Sequence, residues 1–161
     1  MKIVELLLVP ETKECLHALV DRLDCDAGSV MDIDVYRLDI DDELAVMMFN
    51  LLPEESVPDE LVEHLALHAT GTLVITEGDI AEIDAEKARR IENICEVVAD
   101  KPIVVAMQAK LESLQKIRKV VFEDGIFLND KGRAMMWSKT SHESQVRIWR
   151  NLFKLIGIDS N

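Results

Sequence analysis

The chain has 161 residues, of which 48% are hydrophobic and 30% charged, and its net charge is −13. This length and composition predict a single domain, residues 1–161, with one buried core. Residues 1–80 hold 19 Asp/Glu against 4 Lys/Arg, so their surface repels nucleic acid and anionic lipid, and a protein is the expected partner. The apolar runs are far shorter than the roughly 20 residues that cross a bilayer. We therefore expect a soluble, cytoplasmic protein that neither spans a membrane nor binds nucleic acid.

The first half of the chain predicts a strand, a helix and a β-hairpin. Residues 2–9 are an apolar run, and residues 12–23 carry apolar side chains at helical spacing. After a predicted turn over residues 24–28, residues 30–40 alternate between polar and apolar, and residues 44–52 are almost continuously apolar. The last two segments predict an antiparallel hairpin whose second strand is buried.

In the second half of the chain, predicted helices and strands alternate. Gly71 ends one helical segment and Gly157 ends another. The order of elements predicts an α/β fold with a mostly parallel sheet, one antiparallel hairpin strand at its edge, and helices on both faces. The predicted elements are helices over residues 59–69, 84–99, 113–122 and 143–156, and strands over residues 72–76, 102–107, 126–128 and 134–137.

Five short segments follow one another in the order found in a known family. They are Asp34-Val35-Tyr36-Arg37, residues 49–55, residues 69–75, residues 102–106 and Trp137-Ser138-Lys139-Thr140. Through them the chain resembles the prokaryotic MglA-like small GTPases over nearly its whole length. The resemblance implies a Ras-like, P-loop-type fold and a GTP- or GDP-binding site with magnesium. The hairpin agrees with it, because a receiver domain or a flavodoxin has a helix between its second and third strands.

The loops that hold GTP in this family lack the required residues here. The turn after the first strand contains Pro10, Glu11 and Glu14 but no glycine. A phosphate site needs converging backbone N–H groups, and carboxylates repel the anion. By the resemblance, Pro53 replaces a glycine whose N–H binds the γ-phosphate, and Glu54 replaces a glutamine that orients water.

These losses predict a pseudo-GTPase: a protein-binding module or subunit that neither binds nor hydrolyses GTP and needs no cofactor. The alternative is a divergent small GTPase that binds GTP or GDP with magnesium when a partner supplies the missing contacts. In that alternative the resemblance implies that the nucleotide is contacted by Lys13, Ser29, Asn50, Gln108, Lys110, Ser138 and Lys139.

Two helical segments predict a docking surface for that protein partner. Residues 57–67 mix apolar and acidic side chains, and the last helix carries a wider apolar band than one core-facing stripe requires. Acidic residues at a rim steer the partner, and an apolar centre holds it. The alternative is that these apolar residues all pack on the sheet. By resemblance, the partner is a Roadblock-type dimer. The predicted contact residues are Glu54, Glu55, Val57, Asp59, Leu61, Glu63 and Trp149.

One helical stripe offers a second alternative, a metal-binding protein. Glu60, His64 and His68 are spaced at i, i+4 and i+8 on one predicted helix, a spacing that presents possible metal ligands on one face. Three ligands spread over two turns converge poorly on one ion. We therefore favour a solvated helix surface and expect no metal there.

Overall fold

The computed structural model describes residues 1–51, 57–77, 85–98, 100–107 and 132–158, which contain seven strands and four helices. The strands are β1 (Lys2–Pro10), β2 (Asp26–Val30), β3 (Ile33–Asp39), β4 (Leu44–Asn50), β5 (Gly71–Thr76), β6 (Ile103–Met107) and β7 (Gly132–Met136). The helices are α1 (Lys13–Val20), α2 (Asp59–His68), α3 (Ala85–Val97) and α4 (His142–Leu155).

All seven strands form one sheet in the order β2-β3-β4-β1-β5-β6-β7. β1 pairs in parallel with β4 and β5, and β6 continues the parallel arrangement to β7. β3 runs antiparallel to both of its neighbours, β2 and β4. The structure therefore confirms an α/β fold whose sheet is mostly parallel.

Both faces of the sheet are covered by helices, as predicted. Leu6 and Leu8 of β1 belong to the core shared with α1 and α4, whereas Leu7 and Val9 belong to the core shared with α2 and α3. These four side chains are completely buried. Strands that are buried on both faces are expected to be continuous apolar runs, and this explains the sequence of β1.

The antiparallel hairpin differs from its prediction in one respect. Residues 26–30, which were partly assigned to a turn, form the edge strand β2, so β3 is not at the edge of the sheet. The turn between β2 and β3 consists of Met31 and Asp32, with φ of 51° and 64°. Met is unusual in such a turn, and the glycine that is preferred at the second position is replaced here by Asp32. The alternating pattern of residues 30–40 therefore concealed the turn.

Capping residues mark where two of the helices begin. Thr12 caps α1 and Ser141 caps α4, and each accepts a hydrogen bond from a backbone N–H of the first turn. Gly157, with φ of 82°, follows the end of α4 as predicted. The predicted helix 113–122 and strand 126–128 lie outside the described residues. None of the described helices is long and apolar enough to cross a membrane.

Candidate functional site

The connection between β1 and α1, where the family resemblance expects a phosphate-binding loop, has only two residues. Glu11 and Thr12 join Pro10, the last residue of β1, to Lys13, the first residue of α1. The Glu11 N–H donates to the Ile75 carbonyl of β5 over 2.7 Å. A phosphate-binding P-loop uses a longer, glycine-rich segment whose N–H groups surround the anion. Two residues are too few to surround a phosphate in that way.

The first turn of α1 has donors that are already used inside the chain. The Cys15 N–H donates to the Thr12 Oγ1 over 3.3 Å, and the Thr12 N–H donates to the Cys15 Sγ over 3.4 Å. The thiol itself donates to the Thr12 carbonyl over 3.1 Å. Burial raises the pKa of the Cys15 thiol, so it stays protonated as a donor at neutral pH. The thiol is therefore a capping group and not a nucleophile.

Three carboxylates and one lysine meet next to this connection. The Glu77 N–H, just after β5, donates to the Glu11 Oε2 over 2.7 Å. Lys139 Nζ lies 2.5 Å from Glu77 Oε1 and 3.4 Å from Glu14 Oε2. The hydrogen bond to Glu77 raises the pKa of Lys139, so the lysine remains cationic at neutral pH. Glu11, Glu14, Glu77 and Lys139, together called the carboxylate cluster, carry more negative than positive charge.

A buried glutamine holds the connection that carries Lys139. The Gln145 Nε2 group donates to the Ser138 and Lys139 carbonyls over 2.9 and 3.1 Å. Its Oε1 accepts from the Arg22 Nε over 2.5 Å. Gln145 is completely buried, and its amide joins the β7–α4 connection to the segment after α1. The sequence prediction missed Gln145, since it belongs to no motif.

Hydrogen bonds from two tryptophans join α4 and the end of β7 to neighbouring elements. The Trp137 indole N–H donates to the Thr76 carbonyl over 3.1 Å, and the Trp149 indole N–H donates to the Leu19 carbonyl over 2.9 Å. Trp149 is only 3% exposed and packs beside the Phe153 ring. Trp149 therefore belongs to the core between α1 and α4, and its predicted place in a partner surface is corrected. A buried indole needs an acceptor, and the Leu19 carbonyl supplies it.

The residues suggested for nucleotide contact are dispersed. Lys13 is exposed at the start of α1, and Lys139 reaches the same helix through Glu14. Ser29 lies on β2, three strand spacings from β1, a separation of about 14 Å. Ser138 accompanies Lys139 in the β7–α4 connection.

Two further candidates lie outside the described residues, Gln108 and Lys110. Asn50 ends β4 opposite Leu8 of β1, and its side chain is 2% exposed. Its Oδ1 has no hydrogen-bond partner among the described residues. This orphaned oxygen only accepts hydrogen bonds, and the donors of the Asn50 side chain are on its Nδ2 group.

The predicted docking residues of α2 are partly on the surface. Asp59 and Glu63 are exposed, whereas Val57 and Leu61 are half-buried and pack against the core beneath α2 and α3. Leu67 is 76% exposed on the same helix. Glu54 and Glu55 lie outside the described residues. The surface of α2 thus presents acidic groups around apolar residues that are only partly accessible.

The candidate metal ligands of α2 are all exposed. The His64 and His68 rings meet edge to face with their centroids 5.1 Å apart, and Glu60 lies one turn before His64. In the part of the chain that the structure describes, no group of three or more His, Cys, Asp or Glu side chains has an arrangement that holds a metal ion.

No protein-family profile matches the chain, and no curated protein matches it with significant similarity. The arrangement of residues at the carboxyl end of the sheet is therefore the main guide to function.

Proposed function

We propose that the chain is a pseudo-GTPase with a Ras-like fold that acts as a protein-binding module or subunit. The connectivity supports the fold assignment. α1 is followed by the edge strand β2, the antiparallel β3 and then β4, which pairs with β1, and no helix lies between β3 and β4. This hairpin distinguishes the Ras-like arrangement from receiver-like and flavodoxin-like ones. The helices on both faces fit the same fold.

The two-residue β1–α1 connection is the observation that supports the proposed loss of GTP binding. Open α/β sheets bind ligands at the carboxyl ends of their strands. Here that position holds Glu11 and Glu77, whose backbone and side-chain groups are bonded to each other and to Ile75. A phosphate brought next to a carboxylate at 4 Å is repelled by roughly 4 kcal/mol per charge pair at an effective dielectric constant of 20. The connection therefore lacks the backbone N–H groups that would surround a phosphate of GTP, and its carboxylates repel that phosphate.

The acidic surface of α2 supports the proposed role in protein binding. Asp59 and Glu63 are exposed on α2 beside the half-buried Val57 and Leu61. Charged rims speed association and give it salt dependence, while apolar centres slow dissociation. A partner with a basic rim fits this surface, and the family resemblance suggests a Roadblock-type dimer.

The test is calorimetric titration of the purified protein with GTP and with GDP in the presence of magnesium. We expect no binding at nucleotide concentrations up to about 1 mM. The triple variant Glu11→Gln, Glu14→Gln and Glu77→Gln removes the negative charge but leaves the short connection, so it should also fail to bind. Lys139→Gln is the matched control, because it removes the positive charge of the same cluster.

Binding of either nucleotide by the parent protein with micromolar affinity would contradict the proposal. Binding by the triple variant alone would show that charge, and not the short connection, excludes the nucleotide. Nucleotide binding that appears only with a partner present would favour the divergent GTPase. A zinc-dependent rise in thermal stability that His64→Ala and His68→Ala abolish would favour the metal-binding alternative.

A further inference from the structure

The strand β2 is an open edge of the sheet. Its five residues, Asp26–Val30, are all exposed. On one side β2 pairs with β3 in a continuous register, from Asp26 opposite Arg37 to Val30 opposite Ile33. No described strand pairs with its other side. One row of backbone N–H and C=O groups therefore faces outward without a strand to receive it.

The hairpin geometry identifies these outward groups. Val30 and Ile33 flank the two-residue turn and so form a hydrogen-bonded pair. Because such pairs alternate along an antiparallel ladder, the N–H and C=O groups of Ala27 and Ser29 point away from β3. Between them lies Gly28, where an added Cβ would project from the face of the sheet and meet no atom within 4 Å. The exposure of all five residues indicates that the outer side of β2 is uncovered.

Of the usual features that protect edge strands, β2 lacks Lys, Pro and a bulge, but it is short and carries the charged Asp26. Natural edges carry Lys, Pro or a bulge, or are covered by another element. β2 has the sequence Asp-Ala-Gly-Ser-Val, its pairing with β3 contains no bulge, and it is fully exposed. Two exposed apolar residues lie at its end, Val30 at 51% and Met31 at 74%. The edge is thus suited to receive a strand.

Charge determines which strand it can receive. Residues 21–43 hold nine Asp/Glu against two Arg, and Asp24, Asp26, Asp32 and Asp34 are exposed around β2. A second copy of this chain is disfavoured. Edge-to-edge pairing of two β2 strands would bring these four aspartates close to the same four aspartates of the second copy. Like charges directly opposite each other destabilise a strand pair, whereas opposite charges stabilise it.

We propose that β2 docks an extended segment of another protein that carries Lys or Arg at alternate positions, so that the segment adds one strand to the sheet. This inference rests on the proposed protein-binding role but not on the loss of nucleotide binding. It defines a second surface, separate from α2. Main-chain hydrogen bonds to Ala27 and Ser29 supply the affinity, and the aspartates select a basic sequence.

The test measures amide hydrogen exchange by NMR, with a capped peptide of four Lys-Val repeats as the probe. At saturation we expect exchange at Ala27 and Ser29 to slow at least tenfold, and added salt to weaken the binding. A capped peptide of four Glu-Val repeats should have no effect. Ser29→Pro removes one outward N–H and should abolish binding, whereas Ser29→Thr, the matched control, keeps the N–H and should retain it.

A second pair of variants covers the case in which Ser29→Pro does not fold. Asp26→Lys with Asp34→Lys should weaken binding of the Lys-Val peptide at least tenfold. Glu96→Lys with Asp100→Lys, which makes the same change in charge at exposed positions of and after α3, should weaken it less than twofold.

Three results would overturn the inference. The first is unchanged exchange at Ala27 and Ser29 with the peptide present. The second is a peptide effect confined to α2, at Asp59 and Glu63. The third is protection of β2 without peptide together with a dimer in sedimentation equilibrium, which would identify a second copy as the occupant. Calorimetry with nucleotide is independent of all three, so the two proposals fail separately.

Discussion

The carboxyl end of the sheet and its β2 edge differ in how far their polar groups are already bonded within the chain. At the carboxyl end, Glu11, Glu77, Lys139 and Gln145 bond to one another or to nearby backbone. At the β2 edge, five consecutive exposed residues leave one row of backbone groups open. In open α/β sheets the carboxyl end is the usual ligand site. In this protein the outward-facing backbone groups lie at the β2 edge instead.

The comparison implies opposite responses to substitution. A group that is bonded internally costs stability when it is removed, because its former partners remain buried without a hydrogen bond. A hairpin that holds residues in an unfavourable conformation gains stability when suitable residues replace them. The following variants measure both responses.

Gln145→Ala should have the largest effect and lower the free energy of unfolding by about 2 kcal/mol. The substitution removes three hydrogen bonds and empties the site of a completely buried side chain, although the Ser138 carbonyl keeps its bond from the Ser141 N–H and the exposed Arg22 can bond to water. Urea unfolding followed by circular dichroism measures the change. Asn151→Ala is the control, since that amide bonds to the Arg147 carbonyl at the surface of the same helix. Equal losses for the two variants would show that the carboxyl end does not depend on Gln145.

Met31→Asn combined with Asp32→Gly should raise the free energy of unfolding by about 1 kcal/mol. Both positions have positive φ, which Asn and Gly adopt more easily than Met and Asp. The control is Asp41→Asn with Asp42→Gly in the next turn, where neither residue has a positive φ. That pair should give no gain, because an added glycine there only increases the freedom of the unfolded chain. A loss for the first pair would contradict the strain argument.

Lys139→Met should have the smallest effect, a loss of about 0.5 kcal/mol at pH 7, because its ion pairs are partly exposed and screened by solvent. The folded state raises the pKa of Lys139 above its ordinary value of 10.5. The ion-pair contribution is therefore fully present below that value and is lost as the pH rises through the higher folded pKa. Unfolding measured from pH 6 to pH 11 tests this, with the exposed Lys2→Met as control. A difference that persists unchanged to pH 11 would exclude the ion pair as its cause.

The buried part of the fold was predictable because its signals are local. The continuous apolar run of β1 predicts a strand that is covered on both faces. The shorter apolar runs of β5 and β6 predict the same, and both strands are buried. The helical spacing of Leu16 and Leu19 predicts the buried face of α1. These features depend on neighbouring residues only.

The remaining features depend on distant residues. The sequence of β2 contains no β-branched residue except Val30 and forms a strand because β3 pairs with it. Gln145 and Arg22 are 123 positions apart, so no local pattern connects them. Glu77 meets Lys139 only because β5 and the β7–α4 connection end at the same side of the sheet. An apolar band on α4 suggested an exposed Trp149, but the Leu19 carbonyl holds the indole in the core.

The central position of β1 also affects how the chain is made. Both neighbours of β1, β4 and β5, are synthesised after it, and the end of β5 follows Pro10 by about 66 residues. At 5–20 residues per second, ribosomes need roughly 3–13 s to add that length. Both edges of β1 are unpaired until β4 is complete at Asn50, and one edge stays unpaired until β5 is complete at Thr76. The central strand of the sheet is thus the one that waits through two later strands for its pairing, and an unpaired edge is a site where other nascent chains can pair.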